Sequence, residues 1–149
     1  MSNFLFLTDE FRAIGKEAQE AEQLTLLSPK AASVLIRSAM EKAVRWMFDH
    51  DYDLEYPYDR NLSSLIHLPD FREVISERRF RELNLIRKTG NLGAHGNAVK
   101  KDDALMVLRY LHSFLGWVAR SYAEGDEVTV PTFDESHLPT GNEAKESER

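Results

Sequence analysis

Apolar residues recur every three to four positions through most of the chain, the spacing of helices that each bury one face. Phe11, Ile14, Ala18, Ala21 and Leu24 form the first such stripe. Its helix is expected to start near Thr8 or Asp9: threonine can accept a bond from a free first-turn amide, and Asp9 and Glu10 suit the positive end of the helix dipole. Ser28-Pro29 predicts a second start, a capping serine followed by proline at the first helical position. That helix runs to about Asp49, with Leu35, Ile36, Ala39, Met40, Ala43, Val44 and Met47 as its buried stripe. Residues 49–60, rich in aspartate and interrupted by Pro57, read as a loop. A short helix is expected over Asn61–His67 and another from Pro69-Asp70, with Phe71, Val74 and Ile75 turned inward. Phe80, Leu83, Leu85 and Ile86 lead into a further helix through Arg87–His95, ended by Gly96-Asn97. The last long helix starts at Asp102 or Asp103, buries Ala104, Leu105, Leu108, Leu111, Leu115, Val118 and Tyr122, and meets a stop at Gly125. The pattern predicts an all-α bundle of about five helices over residues 1–125. Residues 126–149 are expected to be an acidic linker or disordered tail: after a short extended stretch around Val128–Phe133, the sequence turns polar and carries Pro139 and Gly141. Its last residues have the composition to begin a helix in a longer chain, which suggests an excised segment.

The length of 149 residues fits one domain with a real hydrophobic core. Charge changes the picture through its location. The formal net charge is −6. Residues 1–123 carry 17 acidic and 17 basic side chains, while residues 124–149 carry 8 acidic and 2 basic ones. The helical body is therefore neutral and does not advertise the strong basic face that tight, sequence-independent DNA binding needs. There is no cysteine, so disulfides and thiolate metal sites are excluded, in keeping with a reducing cytoplasm. The apolar N-terminal run is too short for a signal peptide and lacks a basic start, and no stretch approaches a membrane span. A cytoplasmic protein with no membrane partner is expected.

The richest local chemistry is Ile86-Arg87-Lys88-Thr89-Gly90-Asn91-Leu92-Gly93-Ala94-His95-Gly96. In a helix Arg87, Asn91 and His95 fall four residues apart on one stripe, drifting about 40° per step. Arginine is a bidentate phosphate ligand, and histidine is the usual general acid or base near neutral pH. Arg87, Asn91 and His95 are thus the catalytic candidates, and with Lys88 the candidates for phosphate or nucleic-acid binding. The competing structural reading is that Gly90, Gly93 and Ala94 let two helices approach closely. Each helical glycine costs on the order of 1 kcal/mol, and close packing would offset it. Arg37 and Glu41 are the supporting candidates, either as an i, i+4 surface pair or with Glu41 reaching across to orient Arg87 or His95. Arg72, Arg78, Arg79 and Arg81 are interleaved with acids and read as a solvated face, with a minor nucleic-acid contact surface as the alternative, and Tyr52, Tyr56 and Tyr58 read either as base-stacking residues or as part of a closing loop. Phosphate-loop, dinucleotide, zinc-helix and nucleophile-elbow signatures are absent, and the five histidines lack ligand spacing. No metal or cofactor is expected in this segment.

An ordered set of residues carries a family resemblance. Phe4-Leu5, Phe11, Ala18-x-x-Ala21-Glu22, Ser28-Pro29-x-Ala31-Ala32 and Leu35-Ile36-Arg37-x-x-Met40-Glu41 belong to it. So do Phe71, Leu85-Ile86-Arg87-Lys88-x-Gly90-Asn91-x-x-Ala94-His95-Gly96, Leu111-x-x-Phe114-x-x-Trp117 and Phe133-Asp134-Glu135-x-x-Leu138-Pro139. The chain resembles the domain of unknown function at the N-terminus of many type I restriction endonuclease R subunits, which is similar to the HEPN superfamily of helical bundles. The resemblance implies a HEPN-like bundle. It also implies an accessory role in a subunit that cleaves DNA and translocates it with ATP and Mg, whose partners are its own nuclease and motor domains and the methylation and specificity subunits. Active HEPN ribonucleases often carry Arg-Asn-x-x-Ala-His on one helix. Asn91, Ala94 and His95 match that pattern, Gly90 stands where the arginine would be, and Arg87 lies a turn earlier. The expectation is a non-catalytic interaction module that docks partners or contacts nucleic acid. The alternatives are a metal-free ribonuclease or nucleotide-binding module, and an adaptor that forms a homodimer through the glycine-rich helix.

Overall fold

A computed structural model describes residues 1–125 and 127–142. Among them the regular structure is entirely helical: α1 (Arg12–Leu24), α2 (Pro29–His50), α3 (Leu62–His67), α4 (Pro69–Ile75), α5 (Glu77–Ala94) and α6 (Lys101–Tyr122), with 3-10 turns at Asp9–Phe11 and Glu135–His137. The long α2 is central, packing on α1, α5 and α6, while α5 and α6 also meet directly. The expected stripes become one core. Ile36, Met40 and Met47 of α2, Leu83 and Ile86 of α5, and Leu108 and Leu115 of α6 are all fully buried within it. The short helices α3 and α4 and the longer α5 do not arise from one amphipathic run. Asn61 caps α3 by accepting from the Ser64 amide at 2.8 Å, Pro69 opens α4, and Ser76 at φ +85° turns the chain between α4 and α5. A non-glycine residue there is uncommon, and the Ser76 hydroxyl accepts from the Arg79 amide at the start of α5. Six helices lie among the described residues, in keeping with the expected all-α bundle of about five.

Termini differ in detail from the sequence reading. Thr8 and Ser28 make no side-chain cap bond, and a 3-10 turn precedes α1. The last helix ends at Tyr122, three residues before Gly125. There the Tyr122 hydroxyl donates to Asp51 at 2.6 Å and joins the far ends of α6 and α2.

Gly90 and Gly93 explain how α2 and α5 approach. A Cβ on Gly90 would lie 2.5 Å from Cβ and 2.7 Å from Cδ of Arg37, and one on Gly93 would lie 2.8 Å from the Lys30 carbonyl and against the Ser33 hydroxyl. The two glycines are the floor of an intramolecular helix crossing. The glycine face of α5 is thus covered by α2 within the chain.

The larger correction concerns the C-terminal segment. Residues 127–142 are a strap laid back across the bundle. Val130 lies against Gly116, where a Cβ would be 3.0 Å from its methyl. Phe133 packs edge-on against His112 at 5.4 Å, and Leu138 is only 3% exposed. Asp134 and Asn3 are joined twice: the Asp134 amide donates to Asn3 Oδ1 at 2.6 Å and Asn3 Nδ2 donates to the Asp134 carbonyl at 2.9 Å. Arg109 pairs with Glu135 at 3.1 Å. Polar composition suggested disorder, yet three apolar residues and two backbone bonds anchor the strap. The expected disorder of residues 143–149 lies outside the described residues.

Candidate functional site

α5 begins on the Ser76 cap and runs to Ala94, so Arg87 and Asn91 are helical while His95 is the cap residue, with φ −86° and ψ 9°. At 100° per residue, Asn84, Arg87, Lys88, Asn91 and His95 share an arc of roughly 100° beside the buried glycine seam. Arg87 and Asn91 are half-buried, and Lys88 and His95 are exposed. The Arg87 guanidinium donates twice to Asn84 Oδ1, from Nη2 at 2.9 Å and from Nε at 3.2 Å. This bond holds it toward the start of the helix. His95 lies eight residues further on, about 12 Å along the axis. The expected stripe exists, but its arginine and histidine do not converge on one point.

Arg37 meets this helix from α2. Its stem lies over Gly90, and its Nε is buried with no hydrogen-bond partner. Glu41 does not face Arg37, Arg87 or His95; its carboxylate accepts from Arg45 Nε at 2.9 Å. Both readings of Glu41 are corrected by this pair, because α2 offers a basic partner one turn further on. Lys30 reaches the Gly96 carbonyl at 3.4 Å, bringing another cation to the end of α5.

The electrostatics follow from where carboxylates are missing. No acidic residue lies between Glu22 and Glu41, or between Glu82 and Asp102. Those stretches supply Lys30, Arg37, Arg87, Lys88, Lys100 and Lys101. Among the described residues, none of these six is in an ion pair. The body is neutral in total, yet its α2–α5 seam is locally basic, a segregation that a whole-body count conceals. Two hollows lie away from this strip, one of about 520 Å³ beside His67 and Arg72 and one of about 460 Å³ beside Trp46, His50 and Tyr122. Among the described residues no group of three His, Asp or Glu side chains comes together to hold a metal ion, and no helix is long and apolar enough to cross a membrane.

A second polar cluster was missed by the sequence reading. Glu22 and Asn3 are buried, at 0% and 1% exposure. Glu22 Oε2 accepts from the Asn3 amide at 2.9 Å and from Asn3 Nδ2 at 2.8 Å, while its Oε1 has no partner. His112 is buried among Phe4, Phe6 and Phe133. Burial holds its pKa below the ordinary 6.5, with the Asn3 backbone and the Glu22 charge pulling upward and Arg120 downward. The one signal available was the place of His112 within the apolar stripe of α6.

Neither the curated proteins nor the solved structures contain a match to this chain. One family model, described as a domain of unknown function, matches residues 19–140, which takes in α2 to α6 and nearly all of the strap. The chain belongs to the DUF4145 family.

Proposed function

We propose that this chain is a non-catalytic interaction module that contacts nucleic-acid phosphates through the α2–α5 seam, in the way its resemblance to the N-terminal domain of type I restriction R subunits implies. One observation carries this reading. The Arg87 guanidinium is bound to Asn84, toward the start of α5, while His95 caps the far end of the helix eight residues on, about 12 Å along the axis, so the strip offers donors along its length rather than a convergent acid–base pair. Phosphate contacts need donors and positive charge without a pocket. Arg87, Lys88 and Asn91 supply them, with Lys30 and Arg37 alongside. The parent subunit would bring ATP, Mg, the nuclease and motor domains and the methylation and specificity subunits as partners.

The test is binding of duplex DNA and of the partner subunits at low and moderate salt. Replacing both Arg87 and Lys88 with alanine is expected to weaken DNA binding by roughly tenfold at low salt and to flatten its salt dependence by about two counter-ions. Equal affinities and equal salt slopes for parent and variant would remove the strip from the account. Absence of binding to DNA and to the partner subunits would remove the function.

A single observation favours the ribonuclease alternative. The stem of Arg37 lies on Gly90, the position where the HEPN pattern carries arginine, so an arginine side chain crosses that position from α2. Metal-free RNA cleavage by the parent chain and by His95→Ala separates the readings. The interaction module predicts the same background for both proteins. Cleavage that is lost with His95 would establish the enzyme.

A further inference from the structure

The strap is held by a cluster whose charge can change. On α6, His112 lies under Phe133, and Arg109 lies over the same ring at 4.7 Å and pairs with Glu135. From the N-terminus, Phe4 and Phe6 meet the imidazole edge-on at 5.5 and 5.7 Å, and Asn3 spans Glu22 of α1 and the Asp134 backbone. His112 Nε2 is buried with no hydrogen-bond partner. A neutral ring is at home among three phenylalanines. An imidazolium there would have a buried N–H with nothing to receive it, a cost that opening removes.

We propose that His112 is a proton-operated latch, neutral when residues 127–142 lie closed on α6 and protonated when they are released together with the N-terminal residues 1–7. The direction follows from linkage. Burial depresses the closed-state pKa of His112 below 6.5, and water restores the ordinary value in the open state. The stabilisation is therefore complete above 6.5 and falls away as pH drops through the depressed value. The other charges facing the ring do not reverse this. Glu22 attracts the imidazolium and Arg120 repels it, and burial outweighs both. Asp134 is held low by its bonds from Ser136 and stays ionised. His137 lies 3.4 Å from Asp134, a contact made within the strap itself, and its Nδ1 is buried with no hydrogen-bond partner. The Arg109–Glu135 pair ties the strap to α6 at 3.1 Å. His112 is the group that opens.

Hydrogen exchange of the whole chain, corrected for intrinsic rates, measures this directly. Amides of residues 130–138, other than the proline, are expected to exchange roughly tenfold faster at pH 5 than at pH 7.5. Those of α2 and α5 should keep their protection. His112→Phe and His112→Gln each remove the response, so a failure of one to fold leaves the other to report, and His137→Ala preserves it. Equal strap protection at the two pH values overturns the proposal. So does a response that survives replacement of His112, or one that disappears with His137→Ala.

Discussion

Gly93→Leu is expected to lower the melting temperature by roughly 10 °C, from about 3 kcal/mol of overpacking. In an isolated helix the same substitution would stabilise by up to about 1 kcal/mol, because glycine is the poorer helix former. Here the new Cβ meets the Lys30 carbonyl at 2.8 Å and presses on the Ser33 hydroxyl. Ser33 cannot yield freely, since its hydroxyl already donates to the Lys30 carbonyl at 2.7 Å. The remaining leucine atoms would force α2 and α5 apart, and Ile36, Leu83 and Ile86 would lose their packing with them. Leu92→Ala, on the half-exposed side of the same helix, should leave the melt within about 2 °C. Calorimetry on the two variants and the parent gives the comparison. A Gly93→Leu melt superimposed on the parent's would mean that the helices do not touch at this point. Light scattering on the folded fraction should show an unchanged mass, because the glycine seam is internal.

This seam shows what the sequence makes legible and what it leaves out. Helical spacing located α1, α2, α5 and α6 because each buries a stripe of apolar residues, and the stripe is local information. The glycines announced a close approach but not which helix would make it. That partner, α2, is nearly 60 residues away in the chain. Glu41 has an arginine four residues away on either side along α2; Arg37 is laid over Gly90, so the pair forms with Arg45 instead. Arg87 was placed on its stripe correctly, while its bond to Asn84 turns it away from His95. Three residues on one helical face need not share a focus when they span two turns. The break at Ser76 was hidden for another reason: a positive φ on serine is strained and has no composition to betray it.

The strap was the largest departure, and its cause is physical. Residues 127–142 contain too little apolar surface to be ordered by themselves, which is what composition reads. They are ordered through partners from elsewhere: Asn3 before α1, Gly116, His112 and Arg109 on α6, and Leu27 beneath Gly141. The segregation of charge was equally hidden. Seventeen acids against seventeen bases in residues 1–123 cancel in a sum but not in space, because α2 brings one acid-free stretch against another.

Glu22→Ala is expected to destabilise the chain by roughly 3–4 kcal/mol, because two bonds to a charged acceptor are lost and both Asn3 donors are stranded in the interior. Both donors converge on Oε2, so the effect of Glu22→Gln should be of a different order. A glutamine oxygen at that place can still accept from both, and its amide group takes the position of the unpartnered Oε1. Removing a buried charge also lowers the desolvation cost, so the glutamine variant should lie within about 1 kcal/mol of the parent. Urea unfolding curves for the three chains decide the matter. Two variants equally destabilised would show that the charge itself, rather than the acceptor, holds Asn3. Two variants equally close to the parent would show that the Asn3–Glu22 junction contributes little. The ordering alanine far below glutamine, with glutamine near the parent, is the signature of an acceptor serving two donors. Asn3 also holds the Asp134 backbone through its own side chain. Losing Glu22 should therefore loosen the strap before the helices part, and exchange at residues 134–138 should rise in Glu22→Ala while α2 remains protected.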